Sequence, residues 1–290
     1  MDVSEIARLL SDGQLWQAAG HLSALSEAGF PLVAKEVCRA GAGDSVQLMN
    51  DLLTASAPAA ADIREKLVGL EALRHLAAHV ALESTGENWE DLIPVVRTLG
   101  RDASFRVREA LVKVISRISS ETFEKSRGFW HECLTEEGPE LGSLVLRGLA
   151  ASQAPVTEVL DVFAGSLSDL RRDIRHSLGP RAIPALGCRE PRAVYQRLRE
   201  WASRADEIAR WHVARALATP LGGVYVEDAV DILRILAADE RPSVWRAAAA
   251  ALIEIAQRRP SYVLPILGRW RTDPRRERCA RLALETLAKR

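Results

Sequence analysis

The sequence predicts an all-α chain, a right-handed α-solenoid built from antiparallel helix pairs. Three observations lead there. A short motif recurs, consisting of an acidic residue, an apolar residue five positions on, usually an arginine one or two positions later, and then Ala and Leu at helical spacing. Its copies start at Asp102, Glu140, Asp169, Asp206, Asp239 and Asp273, separated by 38, 29, 37, 33 and 34 residues, a period that suits stacked two-helix units rather than one globule. A helix-length amphipathic segment precedes each copy, and nowhere do polar and apolar residues alternate in the manner of a strand.

Taken in order, segments 3–10, 14–27, 32–39, 46–55 and 63–82 read as helices without the motif. Residues 1–87 are therefore expected to form a helical cap or divergent repeats, continuous with an array of about six helix pairs over 88–290, since the apolar end of a repeat stack must be covered. Segments 89–99, 120–134, 155–164, 192–202, 226–237 and 261–270 supply the first helix of each pair. The second helix opens at the motif. There the acidic residue faces the partial positive charge of free N–H groups, and the apolar positions, among them Val107, Ala110, Leu217, Val244, Ala247 and Leu252, make a buried stripe. Pro242, Pro260 and Pro274 stand at or near first turns, where a missing N–H costs nothing, whereas Pro94 and Pro265 are expected inside first helices, where proline bends the rod.

The clearest copies, Asp102-ASFR-Val107-Arg108 and Asp239-ERPS-Val244-Trp245-Arg246, with Asp169-LRRD-Ile174-Arg175 and Asp206-EIAR-Trp211 beside them, resemble HEAT repeats. The resemblance covers 89–290 and implies a first helix with an internal proline, a turn aspartate and a second helix opening with Val-Arg. Trp211 stands in the place of the usual Val, and Trp245 comes between Val and Arg.

Charge is zero in total but not in distribution. Residues 1–169 carry 15 basic and 25 acidic side chains, and residues 170–290 carry 24 and 14, so the halves are −10 and +10. The excess concentrates in 170–215, with 11 Arg and no Lys against 5 acids, and in 258–290, with 10 basic residues against 3 acids. An arginine fork suits phosphate or carboxylate, so Arg171, Arg172, Arg175, Arg210, Arg215 and Arg246, with Trp211 and Trp245, are the candidate partner-binding residues. Arg171 and Arg172 are expected to be free for a ligand, and Arg175 to serve either a ligand or a turn aspartate. Trp201, Trp211, Trp245 and Trp270 lie in the basic half, where indoles either anchor an interface or fill gaps between helix layers.

No catalytic residue, metal ligand or cofactor is assigned: GxxxxGK[ST], GxGxxG and GxSxG are absent. Glu71, His75, His79 and Glu83 repeat at every fourth position and are expected on an outward helix face, paired along the helix rather than on a metal. Cys38, Cys133, Cys188 and Cys279 are too far apart in sequence for a zinc knuckle and are expected as reduced, packed thiols. No apolar run reaches the roughly 20 residues of a spanning helix, and the acidic N-terminus lacks a secretory pattern, so a cytoplasmic protein is expected.

The C-terminal stretch from Trp245 to Arg271, and Arg281 to Arg290, is also similar to the HEAT-like alkylpurine DNA glycosylases of the AlkC and AlkD type. That likeness would imply a basic DNA channel with Trp side chains and a catalytic aspartate, although no aspartate here is assigned that role. The leading expectation is a non-catalytic scaffold recognising a protein or polyanionic partner, nucleic acid included, through the concave surface of the second helices. Base excision on the same scaffold is the alternative.

Overall fold

The computed structural model describes residues 3–39, 45–55, 64–84 and 88–289, and every regular element among them is helical. Position 63 of the expected helix 63–82 lies outside them. The chain divides into two compact units, Met1–Phe129 and Trp130–Arg290.

In the first unit, α1 (Val3–Ser11) ends where Gly13 adopts φ +73°, a left-handed conformation that lets the amides of Gly13 and Gln14 return to the carbonyls of Leu10 and Leu9. Helix α2 (Leu15–Leu22) stops short of the expected residue 27, because the Ser23 hydroxyl donates to the Gly20 carbonyl and the Ala24 and Leu25 amides close tight turns. Then follow α3 (Gly29–Arg39), α4 (Ser45–Ala55) and α5 (Arg64–Glu83). Helix α5 packs against α2, α3 and α4, and its Leu73, Leu76, Ala77 and Val80 are fully buried, so it is the core rod of this unit.

A 3₁₀ turn at Trp89–Leu92 leads into α6 (Ile93–Leu99). Pro94 therefore falls in the first turn of α6 and breaks no hydrogen bond, which corrects the expected interior bend. The next two expected helices follow one another directly within Phe105–Thr135 (α7) and are separated by a kink at Thr122, whose φ −135° and ψ 29° are not helical. No glycine or proline stands at that point. Instead Ser119, Ser120 and Thr122 each donate a hydroxyl to the carbonyl four residues back, at 2.7, 2.7 and 2.9 Å, a competition with the ladder that bends helices.

The second unit stacks helix pairs. Its first helices are α9 (Val156–Ala164), α12 (Pro191–Ala202), α14 (Val226–Leu236) and α16 (Pro260–Trp270), the last with Pro265 in its interior as expected. Its second helices are α8 (Pro139–Ala151), the run α10 (Arg172–Ser177), a π turn at Leu178–Ala182 and α11 (Ile183–Arg189), then α13 (Glu207–Leu217), α15 (Pro242–Arg258) and α17 (Glu277–Ala288). They pack in chain order, α8 on α10, the π turn on α13, α13 on α15 and α15 on α17. Val244, Leu217 and Leu252 are fully buried, and Ala247 is 7% exposed. The π turn sits where the backbone comes close to α13. A Cβ on Gly179 would lie 2.8 Å from His212 Nδ1 and 3.0 Å from the His212 carbonyl oxygen, so only glycine fits.

Candidate anion-binding face

The turn aspartates fix the start of each second helix. Asp102, Asp169, Asp239 and Asp273 accept from the amide two residues on, at 2.7, 2.8, 2.9 and 3.0 Å, while Asp206 caps α13 by accepting from the Ala209 amide at 2.7 Å. In two of these turns an Asp-x-Arg sequence adds a clamp. The Arg171 guanidinium grips its own Asp169 and donates to the carbonyls of Glu137, at 2.6 Å, and Leu134. Arg241 likewise holds Asp239 and donates to the Ala205 carbonyl at 2.6 Å. Each clamp ties a turn to the one about 36 residues earlier.

Burial alone would push the Asp169 and Asp239 carboxyls up. The hydrogen bonds and charge of Arg171 and of Arg241 outweigh it and hold both below the usual carboxylate range. Arg171 is therefore a structural tie and not a free ligand-binding group, which corrects the expectation for it. Arg210 is also occupied, 2.9 Å from the buried Asp239 carboxylate, as Arg74 is on Asp102 in the first unit. Sequence reasoning passed over the clamp residue Arg241, together with Arg189, which donates to the carbonyls of Ser152 and Ala154. For Arg241 the recurring Asp-x-Arg at 169–171, 239–241 and 273–275 was the available signal.

The other candidates gather on successive second helices. The Arg175 guanidinium, from α10, lies over the Trp211 ring of α13 at 4.7 Å, and Arg215, one turn further along α13, lies over the same ring at 5.8 Å. On the next two helices Arg246 of α15 and Arg278 of α17 lie 5.2 and 5.9 Å from the centroid of the Trp245 ring. Arg175 thus serves an indole rather than a turn aspartate. Trp211 and Trp245 are half-buried, whereas Trp201 and Trp270 are buried packing residues. Arg172, Arg246 and Arg278 are exposed. Trp245 Nε1 is buried with no hydrogen-bond partner, and so are the Nε atoms of Arg175 and Arg215.

Charge is sorted between the two sets of helices in this unit. The second helices, α8, α10 with its π turn and α11, α13, α15 and α17, carry eleven arginines against six acids. Four of those acids, Glu140, Asp173, Glu207 and Glu277, sit in first turns, where they answer the helix dipole. The first helices, α9, α12, α14 and α16, carry five arginines against six acids. Arginine stems that lie on indoles lose little further freedom when their forks take a hydrogen-bond partner.

Two sequence expectations fail in their surroundings. His75 and His79 are 7% and 5% exposed, not outward: the Phe30 ring of α3 lies 4.4 Å from the His75 ring, and the two imidazoles are 4.9 Å apart. Helix α5 has neighbours on several sides, so a polar row did not mark its solvent face. Burial lowers both histidines, His79 to about 4. Glu71 is spent on the Ser104 hydroxyl, at 2.8 Å. Among the cysteines Cys133 and Cys279 are buried, while Cys188 is exposed rather than packed.

No family model and no curated protein matches the sequence. Among solved structures the chain is similar to an engineered protein, at 18% identity over 99% of this chain and 89% of that one, with a TM-score of 0.32. It is also similar to importin beta, at 16% over 96% of this chain and 44% of that one, with a TM-score of 0.35. A computationally designed armadillo repeat protein for modular peptide recognition aligns at 15% identity over 87% and 99%, with a TM-score of 0.33. Likeness at that level says nothing about what this chain binds. The fold class rests on the chain itself: it is all-α, and its helix pairs repeat as a helical-repeat solenoid does. No helix among the described residues is long and apolar enough to cross a membrane.

Proposed function

We propose that this chain is a non-catalytic helical-repeat scaffold that seats an anionic partner along the second helices of its C-terminal unit. The observation that supports this reading is the row of arginines stacked on Trp211 and Trp245 on α10, α13, α15 and α17, the same helices that hold the arginine excess. Stacked repeats leave one face of every second helix free to vary, which is how such proteins build an extended binding surface. Arg172, Arg175, Arg215 and Arg246, with Trp211 and Trp245, remain candidate contacts, while Arg171 and Arg210 support the frame.

Base excision is not the preferred reading, because the turn aspartates flanking the two indoles, Asp206 and Asp239, are committed to a helix cap and to arginine clamps. The test is fluorescence anisotropy at low salt with a labelled acidic peptide and a labelled DNA duplex. Binding of either, weakened by Arg246→Ala with Arg278→Ala, is the expected result. Binding of neither overturns the proposal, and release of an alkylated base from a damaged duplex replaces it with the glycosylase reading.

A further inference from the structure

Contacts between neighbouring second helices recur at a similar offset. The Ser143 and Ser177 hydroxyls meet at 2.6 Å, Arg175 lies on Trp211, the Ser243 hydroxyl donates to the Glu207 carboxylate, and Arg278 lies on Trp245. Those partners are 34, 36, 36 and 33 residues apart. At about that offset six of the eleven arginines, with Trp211, fall into two rows running across the helices. One passes through Arg175, Trp211 and Arg246 to Arg278. The other, a helical turn further along, passes through Arg147, Arg181 and Arg215, which are spaced by 34 and 34 residues. Steps between packed helices are about 8–10 Å, and a peptide in the polyproline II conformation advances about 9 Å per three-residue turn, which brings every third side chain to the same face.

We infer, resting on the anionic-partner reading above, that this face reads an extended acidic peptide whose Asp or Glu side chains recur at every third residue, one per helix. A nucleic acid fits less well for three reasons. Trp211 is already engaged by two guanidiniums and by the edge of the His212 ring, 5.2 Å away, so its faces are not offered to a base. The sequence pI of about 7.0 lacks the strong positive field of a nucleic-acid domain, whose pI exceeds roughly 9. Glu207 and Glu277 stand at the starts of α13 and α17, a turn before Trp211 and one residue before Arg278. They would repel a continuous phosphate backbone.

The experiment compares three labelled probes by anisotropy against the full chain. They are a peptide of about ten residues with Glu at every third position, a peptide of the same composition with its Glu residues in one block, and a DNA duplex. The spaced peptide should bind about tenfold more tightly than the block, and Arg246→Gln with Arg278→Gln should abolish that preference. Arg181→Gln, on the second row, should reduce it as well, and each variant's helix content by circular dichroism confirms that it has folded. Equal affinity for the two peptides overturns this inference and leaves the anionic-partner reading standing. Tighter binding of the duplex overturns it in favour of phosphate recognition, and no binding of any probe overturns both.

Discussion

Arg171 and Arg246 are both arginines at the opening of a second helix, and their surroundings give them different roles. Arg171 follows its turn aspartate by two residues and is half-buried against Asp169 and the carbonyls of the preceding turn; Arg246 sits one turn into α15 with its fork exposed. Arg171→Ala leaves the half-buried Asp169 carboxylate with only its amide donor and two carbonyls without the guanidinium, and should cost about 1.5–3 kcal/mol, whereas Arg246→Ala should fall within about 0.5 kcal/mol of the parent. Thermal melting of the two variants side by side checks both. The histidines set a pH dependence. Burial, then the Arg175 charge, lowers His212 to about 3, and burial, then His75 and Lys113, lowers His79 to about 4. An unfolded imidazole titrates near 6.5, so below that pH the unfolded chain takes up protons that the folded chain refuses, and stability falls as pH drops from about 6.5 toward 4. Asp169 and Asp239 add a further loss below about pH 4, where an unfolded carboxylate takes up a proton that their lowered folded carboxyls still refuse. The melting temperature should therefore hold from pH 8 to 7 and decline below 6.5. His79→Gln should flatten that decline whatever it does at neutral pH.

Individual elements were legible where a local signal set their ends. Pro242 and Pro260 mark the starts of α15 and α16, and the acidic-apolar motif marks α13, all within a residue or two of the expectation. Elements whose form depends on their neighbours were not. The bend at Thr122 arises from hydroxyls returning to carbonyls, which a sequence rich in Ser and Thr permits but does not require. The π turn at Leu178–Ala182 exists where Gly179 meets the His212 backbone, a contact that only the packed repeats reveal. Likewise the orientation of His75 and His79 depends on how many partners α5 has, which helical periodicity does not report. Val107, on α7, is fully buried, so Val107→Asp should cost several kcal/mol, enough to abolish a cooperative melt. Gly179→Leu should cost about 1–3 kcal/mol by forcing the π turn away from α13, read as a lowered denaturation midpoint with unchanged helix content at low denaturant.

For the molecule as a whole, the sequence displayed the charge asymmetry but misassigned part of it. The −10 and +10 of the two halves are linear counts, and folding redistributes them: in the C-terminal unit arginine gathers on the second helices while carboxylates fill first turns and first helices. Some arginines are then taken up by turn clamps, which is why Arg171 and Arg210 stood among the candidates although both are occupied; Arg278, in the basic segment 258–290, was not singled out. The central claim is that the anion site is this one face and not net charge. Its direct measurement is the salt dependence of acidic-peptide binding in two variants that remove equal charge, Arg246→Ala with Arg278→Ala on second helices, and Arg192→Ala with Arg269→Ala on first helices, all four residues being exposed. Ion pairing with the peptide gives the log of affinity a negative slope against the log of salt concentration. The account predicts a shallower slope and weaker binding for the second-helix variant alone, and equal losses in both variants would contradict it.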